Sequence, residues 1–385
     1  MTGPSVSIVL PSLSVGGAEK VAVELANGLA VQGWTVRLLV MAATGPLVAA
    51  IDPGVELVDL ASASFRRLVP ALARQFNDRK PDLVLTTLYG VGLATMAARI
   101  ISRHKPRVVI GAHNSLRAKV CRPDNRKDKY LLAPLSRLLF PRADGIIAVS
   151  QGVADELQAM LKLDPKKVRV IYNPVVSPQL IARAEEPLEH PWMGDPATRA
   201  FKTLLWTGRM VEQKGLDTLL QSFALVVQRR DRRLILVGDG PLRSDLEMLA
   251  ASLGIASQVD FVGFDDNPSR YMAHADLFVL SSRWEGLGNV LIEAMACGCP
   301  VVSTDCDYGP AEILAGETYG LLARVNDPAS LAEAIARSLD VNVPSRCDDA
   351  SLKARSLDFT IERAVELYAA AFSEILEFGK FRTGP

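Results

Sequence analysis

The feature that most constrains the fold is a repeated alternation of short apolar runs with longer amphipathic stretches. In the first half, the β-branched runs include SVSIVLP, TVRLLVM, DLVLTT and RVVIGAH. Stretches with helical spacing, such as residues 19–32 and 65–79, lie between these runs. This pattern is typical of parallel strands that are joined by crossover helices. The first half therefore predicts a doubly wound α/β domain.

The same pattern begins again after a proline-rich stretch between residues 174 and 196, where we expect little regular structure. The runs KTLLWTG, RLILVG, VDFVG, DLFVLSS and PVVSTD then alternate with further helical stretches. Because 385 residues are too many for one ordinary core, we predict two domains, residues 1–178 and 179–358. The pattern alone allows the last amphipathic stretch, 359–378, to pack on either domain.

The charge distribution points to anionic partners. The formal net charge is zero, but residues 1–190 carry 24 Lys and Arg against 16 Asp and Glu. A basic half is compatible with a nucleotide, a nucleic acid, a phospholipid or a lipid-linked diphosphate. A nucleic-acid partner is disfavoured, because only 6% of the residues are aromatic and the basic residues are not interleaved with them.

Cysteine usage and hydropathy indicate the compartment. Five cysteines at irregular spacing and four histidines indicate neither a disulfide framework nor a zinc site. The N-terminal apolar run contains Pro4 and Pro11, unlike a secretory signal peptide. The longest uncharged apolar stretch, residues 38–51, is too short to span about 30 Å of hydrocarbon. We therefore expect a cytoplasmic protein whose membrane contact, if any, is peripheral at the inner face.

The first candidate binding loop follows the first apolar run. Gly16 and Gly17 lie where a strand turns into a helix, and side-chain-free residues there allow backbone amides to approach a phosphate. The alternative is a tight turn without a ligand. The loop is not G-x-G-x-x-G, so the dinucleotide fingerprint is absent.

In the second half, two basic residues follow one strand and two acidic residues follow another. Arg209 and Lys214 come after KTLLWTG, at the strand end where α/β proteins bind ligands. Glu285 and Glu293 come after DLFVLSS, on either side of a glycine-bearing helix start whose amides suit a diphosphate. The alternatives are solvated basic side chains and a capped helix whose Glu293 pairs with a nearby base.

Two further positions have the residue types of a catalytic site. His113, after RVVIGAH, is a hydrogen-bonding group at a strand end, although a lone histidine is more often structural. Asp305 and Asp307 have the D-x-D spacing of metal-dependent sugar transferases. We discount this pair as a metal site, because Arg209 and Lys214 could supply the positive charge instead.

Taken together, these motifs resemble glycosyltransferase family 4, a group of retaining enzymes with the GT-B fold. The matching segments cover nearly the whole chain: PSLSVGGAEKVAVELANGL, AVSQGVADEL, VIYNPV, TGRMVEQKGLDTLL, VGDGPLRSDLE, EGLGNVLIEAMACGCPVVSTD, YGPAEIL and Asp327 in VNDP. The resemblance implies two Rossmann-like doubly wound domains that face each other across a cleft. It also favours the return of the C-terminal helix, about residues 359–385, to the first domain.

The resemblance implies a role for each candidate residue. The donor-binding residues would be Arg209 and Lys214 for the diphosphate, Glu293 for the ribose, and the amides of Gly288, Asn289 and Val290. The catalytic residues would be Glu285, which contacts the transferred sugar, and His113, which hydrogen-bonds the donor sugar or the nucleophile. Gly16 and Gly17 would shape the acceptor side. No metal and no cofactor are expected.

The implied reaction is the transfer of a sugar, with retention, from a UDP-hexose or UDP-N-acetylhexosamine to a glycan acceptor. The expected acceptor is a lipid-linked oligosaccharide or lipopolysaccharide. Two other functions stay open: an NAD-dependent oxidoreductase and a catalytically silent nucleotide-sugar binding protein.

One segment suggests how such an acceptor could be reached. Residues 117–142 contain eight Lys and Arg, two Asp and a run of apolar side chains. A basic amphipathic stretch can bind an anionic membrane surface. Its apolar face can equally well pack on the sheet.

Overall fold

The computed structural model describes residues 3–14, 16–62, 64–121, 128–194, 200–227, 232–340 and 347–380, with the backbone alone at 128–129 and 378–380. The chain divides into two compact units, 1–174 with 361–385 and 175–360.

The first unit alternates strands and helices, as the sequence pattern predicts. Its strands are β1 Ser5–Leu10, β2 Thr35–Val40, β3 Val55–Asp59, β4 Leu83–Thr86, β5 Arg107–Ala112, β6 Gly145–Ala148 and β7 Val168–Val170. The helices that follow in this part of the chain are α1 Gly17–Val31, α2 Phe65–Arg79, α3 Tyr89–Ile101, α4 Leu116–Cys121, α5 Ala133–Leu139 and α6 Gln151–Leu161. The described strands form one parallel sheet in the order β3-β2-β1-β4-β5-β6-β7.

The second unit repeats this architecture. Its strands are β8 Lys202–Thr207, β9 Arg232–Val237, β10 Val259–Gly263, β11 Leu277–Leu280, β12 Val301–Thr304 and β13 Leu321–Ala323. Its helices are α7 Pro178–Ala184, α8 Leu216–Val227, α9 Arg243–Ser252, α10 Ser269–His274, α11 Asn289–Ala296, α12 Pro310–Ile313, α13 Pro328–Ser338 and α14 Asp349–Ser356. Within the described ranges the strands form a parallel sheet in the order β10-β9-β8-β11-β12-β13.

The last helix, α15 Ile361–Lys380, packs in the core of the first unit. Phe372 is fully buried, and its ring meets the ring of Trp34 edge to face at 5.8 Å. Gly28 of α1 lies so close to Val365 that a Cβ at Gly28 would be 2.4 Å from Val365 Cγ2. The absence of a side chain at Gly28 therefore lets α1 and α15 pack closely.

The expectation of little regular structure in the proline-rich stretch is wrong at one place. The helix α7 begins at Pro178, with Ser177 Oγ accepting a hydrogen bond of 3.0 Å from Leu180 N. Proline is well tolerated at the first helical position, because the N–H that it lacks would have no helical partner there. The strand β13 is not predicted from the sequence, because its three residues are too few to produce a pattern.

In the described ranges, no helix is both long enough and apolar enough to cross a bilayer.

Candidate functional site

The candidate site of the second unit lies after β8 and β11, which are neighbours in the sheet. A 3-10 turn, Glu212–Lys214, follows β8 and ends at Gly215, which has a φ of +59°. A Cβ at Gly215 would lie 2.2 Å from Ser281 O, so glycine lets the turn pack on the backbone after β11. Ser281 Oγ also donates to Lys214 O at 2.7 Å. The turn that carries Lys214 is thus fixed to the end of β11.

The side chains of Lys214 and Glu285 form an ion pair. Lys214 Nζ lies 2.6 Å from Glu285 Oε1, and the two side chains are 18% and 8% exposed. Ser282 Oγ donates to the same Oε1 at 2.6 Å. The backbone of Glu285 is held as well, because Glu285 N donates to Asp307 O at 2.7 Å. The carboxylate therefore has a fixed position beside a cation.

Arg209 differs from its neighbours because its side chain is exposed and, within the described part of the chain, makes no hydrogen bond or ion pair. The residue before it, Gly208, lies close to Lys214, since a Cβ at Gly208 would be 3.9 Å from Lys214 Cε. Arg283, by contrast, is engaged with Asp217 at 2.6 Å and with Asn326 at 2.8 Å. Of these two guanidinium groups, Arg209 is the one available for an anion.

The helix α11 supplies the remaining groups of this site. Its N-cap is Gly288, which has a φ of +99°, and Asn289 is its first residue. The N-terminus of a helix carries the positive end of the helix dipole, which favours an anion. Val290 and Glu293 are both half-buried, and Glu293 lies about one turn into the helix. The carboxylate of Glu293 also contributes to the raised pKa of Cys297, for which burial is the main cause.

His113 lies in the first unit, directly after β5. Its ring is buried, and burial lowers the pKa of the imidazole to about 4, although a hydrogen bond with Asn173 acts in the opposite direction. The ring is therefore neutral near pH 7. Among the described residues, His113 Nδ1 has no hydrogen-bond partner. A neutral imidazole with an unused nitrogen can bind a hydroxyl group as donor or acceptor.

Gly16 and Gly17 begin α1, with Gly16 at the N-cap. The carboxylate of Glu19 lies against this turn, because a Cβ at Gly16 would be 2.2 Å from Glu19 Oε2. Burial raises the pKa of Glu19 above its ordinary value. The turn that the sequence suggests for a phosphate thus already has an anionic group beside it, which the sequence analysis does not identify.

The D-x-D pair makes backbone contacts in this structure. Asp305 N donates to Ala323 O at 2.7 Å, and Asp307 O accepts from Glu285 N. No group of three or more His, Cys, Asp or Glu side chains is arranged to hold a metal ion in the part of the chain that is described.

The structure thus brings Lys214, Glu285 and Gly288 at the start of α11 together in the second unit, which also contains Arg209. His113 and the two glycines of α1 belong to the first unit. The functional role of each residue stays a prediction. The sequence analysis does not identify Ser281 and Ser282, although polar residues at the carboxyl end of a buried strand were a usable signal.

Two family models match the chain. The model for glycosyltransferase family 4 matches residues 15–177, and the model described as glycosyl transferases group 1 matches residues 201–340. Together they cover most of both units.

Curated relatives agree with these matches. One is the N-acetylgalactosamine-N,N'-diacetylbacillosaminyl-diphospho-undecaprenol 4-alpha-N-acetylgalactosaminyltransferase of Campylobacter jejuni, 32% identical over 55% of this chain and 54% of that protein. Another is the lipopolysaccharide core biosynthesis glycosyltransferase LpsE of Rhizobium meliloti, 29% identical over 83% of this chain and 84% of that protein. The chain spans 54% and 59% of the lengths of the first two curated relatives that it matches.

Solved structures share the fold. Sucrose-phosphate synthase of Thermosynechococcus elongatus has a TM-score of 0.81 and 22% identity, and the match covers 97% of this chain and 100% of that chain. The Anabaena protein Alr3699/HepE, solved in complex with UDP and glucose, has a TM-score of 0.77 and 20% identity, with coverage of 97% and 100%. The matched family models and the two parallel α/β sheets lead to one conclusion: the chain belongs to glycosyltransferase family 4 and has the GT-B fold.

Proposed function

We propose that this protein is a glycosyltransferase that transfers a sugar from a nucleotide-diphosphate donor to a glycan acceptor. The observation that carries the proposal is the Lys214–Glu285 ion pair at the end of β8 and β11, with the exposed Arg209 next in sequence to Gly208, which lies close to Lys214. A cation that has no partner among the described residues, in the same unit as a helix N-terminus with an open dipole, suits an anionic ligand. Among proteins with this fold, HepE has been solved with UDP and with UDP-glucose, which supports a UDP-sugar donor.

The donor diphosphate would bind to Arg209 and Lys214 and to the amides of Gly288, Asn289 and Val290. These groups supply two full positive charges and the positive end of the α11 dipole. Because cationic side chains and backbone amides can bind the diphosphate, we propose that donor binding needs no metal.

Farther along the donor, Glu293 would bind the ribose hydroxyls, one turn into α11. Glu285 would contact the transferred sugar. A carboxylate held by two hydrogen-bond donors is suited to recognise hydroxyl groups and to face a developing positive charge.

For the chemistry we propose transfer with retention by front-face displacement. The bond between the anomeric carbon and the leaving phosphate oxygen breaks as the acceptor oxygen attacks from the same face. The acceptor proton passes to the leaving phosphate oxygen. Glu285 would stabilise the oxocarbenium character of the sugar, and the neutral His113 would hydrogen-bond the donor sugar or the nucleophile. Rate enhancement would then come mainly from electrostatic stabilisation and positioning.

The proposed acceptor is a lipid-linked oligosaccharide or lipopolysaccharide. Its support is the names of the relatives, which include a transferase for a diphospho-undecaprenol saccharide and an enzyme of lipopolysaccharide core biosynthesis. Gly16 and Gly17 would shape the acceptor side.

Contact with an anionic membrane surface at the inner face is part of the same proposal. Leu131, Leu135 and Leu138 lie four and three residues apart and are 52%, 38% and 53% exposed, whereas Leu132 and Phe140 are buried. Some apolar side chains of the basic segment therefore pack on the protein and others face outward. Residues 122–127 of this segment lie outside the described residues.

A thermal-shift panel with UDP, GDP, ADP and NAD in the presence of EDTA tests the donor proposal. A ligand that binds only the folded protein raises its melting temperature. We expect a shift with one nucleoside diphosphate and none with NAD. A shift with NAD alone would contradict the proposal and favour an oxidoreductase, and a shift that requires a divalent metal would contradict the metal-independent donor site.

Flotation on liposomes tests the membrane proposal. We expect the protein to float with vesicles that contain phosphatidylglycerol but not with phosphatidylcholine vesicles. The double variant Leu135→Glu, Leu138→Glu should stay at the bottom, while Leu225→Glu, at a site 49% exposed in the second unit, should float like the wild type. Equal flotation of the wild type and the double variant would refute the role of this surface.

A further inference from the structure

Two adjacent serines after β11 contact the two residues that form the ion pair of the candidate donor site. Ser281 Oγ donates to the backbone oxygen of Lys214 at 2.7 Å, and Ser282 Oγ donates to Glu285 Oε1 at 2.6 Å. Both serines are buried, and Ser282 has no exposed surface. The first serine thus fixes the turn that carries Lys214, and the second fixes the carboxylate of Glu285.

The backbone of Ser282 is itself fixed by the sheet. Thr304, at the end of β12 and fully buried, donates from its Oγ1 to Ser282 O at 2.5 Å. The strands β11 and β12 are parallel neighbours in register. The position of Ser282 is therefore set by a core strand pair, and it does not depend on the conformation of a surface loop.

Lys214 and Ser282 donate to the same oxygen, Glu285 Oε1, but they differ in freedom of movement. A lysine ammonium lies at the end of a flexible four-carbon chain and can turn toward a phosphate. The short side chain of a buried serine cannot. A bound diphosphate that attracts Lys214 would leave Ser282 as the hydrogen-bond donor that still holds this carboxylate oxygen.

We propose that Ser282 is a positioning residue that keeps the Glu285 carboxylate directed at the donor sugar while the diphosphate takes up Lys214. The inference rests on the proposed function and deepens it, because it separates recognition of the sugar from recognition of the nucleotide. Ser282 acts through Glu285 and needs no contact with the donor.

Binding of two ligands to one variant tests this separation. Titration calorimetry compares UDP, which lacks the sugar, with UDP-glucose and UDP-N-acetylglucosamine. For Ser282→Ala we expect roughly tenfold weaker binding of the preferred UDP-sugar, since hydrogen bonds to charged groups are strong, and UDP binding within about twofold of the wild type. Ser282→Thr, which keeps the hydroxyl, should restore most of the loss.

The matched control is Ser303→Ala. Ser303 is fully buried in β12, and its hydroxyl bonds to Thr304 O at 2.9 Å without contacting Glu285. Ser303→Ala should leave the ratio of UDP-sugar affinity to UDP affinity unchanged. If Ser282→Ala does not fold, Ser282→Cys keeps the branching of the side chain but offers only a weak donor, and it should show the same selective loss.

A double-mutant cycle without ligand tests the contact itself. The unfolding equilibrium constant is measured for the wild type, Ser282→Ala, Glu285→Gln and the double variant. We expect the effects of the two substitutions to be coupled by at least about threefold, as for residues in contact. A coupling factor near one, or an equal loss of UDP and UDP-sugar binding in Ser282→Ala, would overturn the positioning role of Ser282 but not the proposed function. Failure of the wild type to bind any nucleoside diphosphate would overturn the proposed function as well.

Discussion

Replacing Glu285 by Gln should move nucleotide binding and sugar transfer in opposite directions. Glu285 Oε1 lies 2.6 Å from Lys214 Nζ, so the carboxylate competes with a donor phosphate for this ammonium. Two unit charges 4 Å apart interact by about 4 kcal/mol at an effective dielectric constant near 20. Because a bound diphosphate is partly solvated, we expect the substitution to strengthen the binding free energy of UDP by only about 1 kcal/mol. This corresponds to about fivefold tighter binding.

Sugar transfer should fall in the same variant. The Gln side chain fills nearly the same space but carries no negative charge to face an oxocarbenium-like sugar. Loss of one electrostatic group that stabilises a transition state costs about 100- to 1,000-fold in rate. Tighter binding of UDP together with a large loss of turnover is therefore the expected signature of Glu285→Gln.

Titration calorimetry with UDP in EDTA, and release of UDP from UDP-glucose and UDP-N-acetylglucosamine, measure the two quantities. Glu247→Gln is the control, because Glu247 is 46% exposed on α9, where it pairs with Arg243, and its replacement should change neither quantity. Weaker UDP binding in Glu285→Gln would refute the competition for Lys214. Turnover close to the wild type would remove Glu285 from the catalytic residues.

Three further predictions follow from the same structure. Arg209→Ala should weaken UDP binding at least about tenfold in calorimetry, whereas Arg324→Ala, a 78% exposed residue, should not. Burial lowers the pKa of His113 to about 4, so the stability contributed by its neutral ring is complete above pH 6.5 and is lost as the pH falls toward 4. Between pH 7 and pH 4, the free energy of unfolding measured in urea should therefore fall by about 3 kcal/mol more for the wild type than for His113→Gln. Both Gly309 and Gly316 have a positive φ, but only at Gly309 would a Cβ meet the backbone, at 2.0 Å from Leu287 O. Gly309→Ala should therefore lower the free energy of unfolding by about 1–3 kcal/mol more than Gly316→Ala.

Most of the fold could be predicted from the sequence, because buried parallel strands read as continuous apolar runs. The helix Phe65–Arg79 has the predicted bounds, and α1 begins two residues before the predicted position. The three-residue strand Leu321–Ala323 and the helix that begins at Pro178 could not be predicted in this way. The strand is too short for a periodic pattern, and the helix depends on a capping contact within a stretch that otherwise reads as linker.

The candidate site could be predicted as a set of residue types but not as a set of contacts. Arg209, Lys214, Glu285 and Glu293 are charged residues after apolar strands, and this signal is visible in the sequence. The ion pair between Lys214 and Glu285 is not visible, because the two residues are 71 positions apart and their contact depends on β8 lying beside β11. Gly215 is an example of a contact that the sequence does not reveal, because its close approach to Ser281 depends on the positions of both strands.

The position of the site follows from the topology of the sheet more than from any motif. In the second unit the strand order changes direction between β8 and β11, and in the first unit it changes between β1 and β4. In an open α/β sheet, the connections on either side of such a point leave in opposite directions and open a crevice at the carboxyl ends of the strands. Lys214 follows β8 and Glu285 follows β11, so the charged pair lies at this point. In the first unit, Gly16 and Gly17 follow β1, which lies at the corresponding point, whereas His113 follows β5, one strand farther out. A charged pair at the switch point therefore needs no long loop to bring it together, and the buried serines after β11 can hold it with short, stiff contacts.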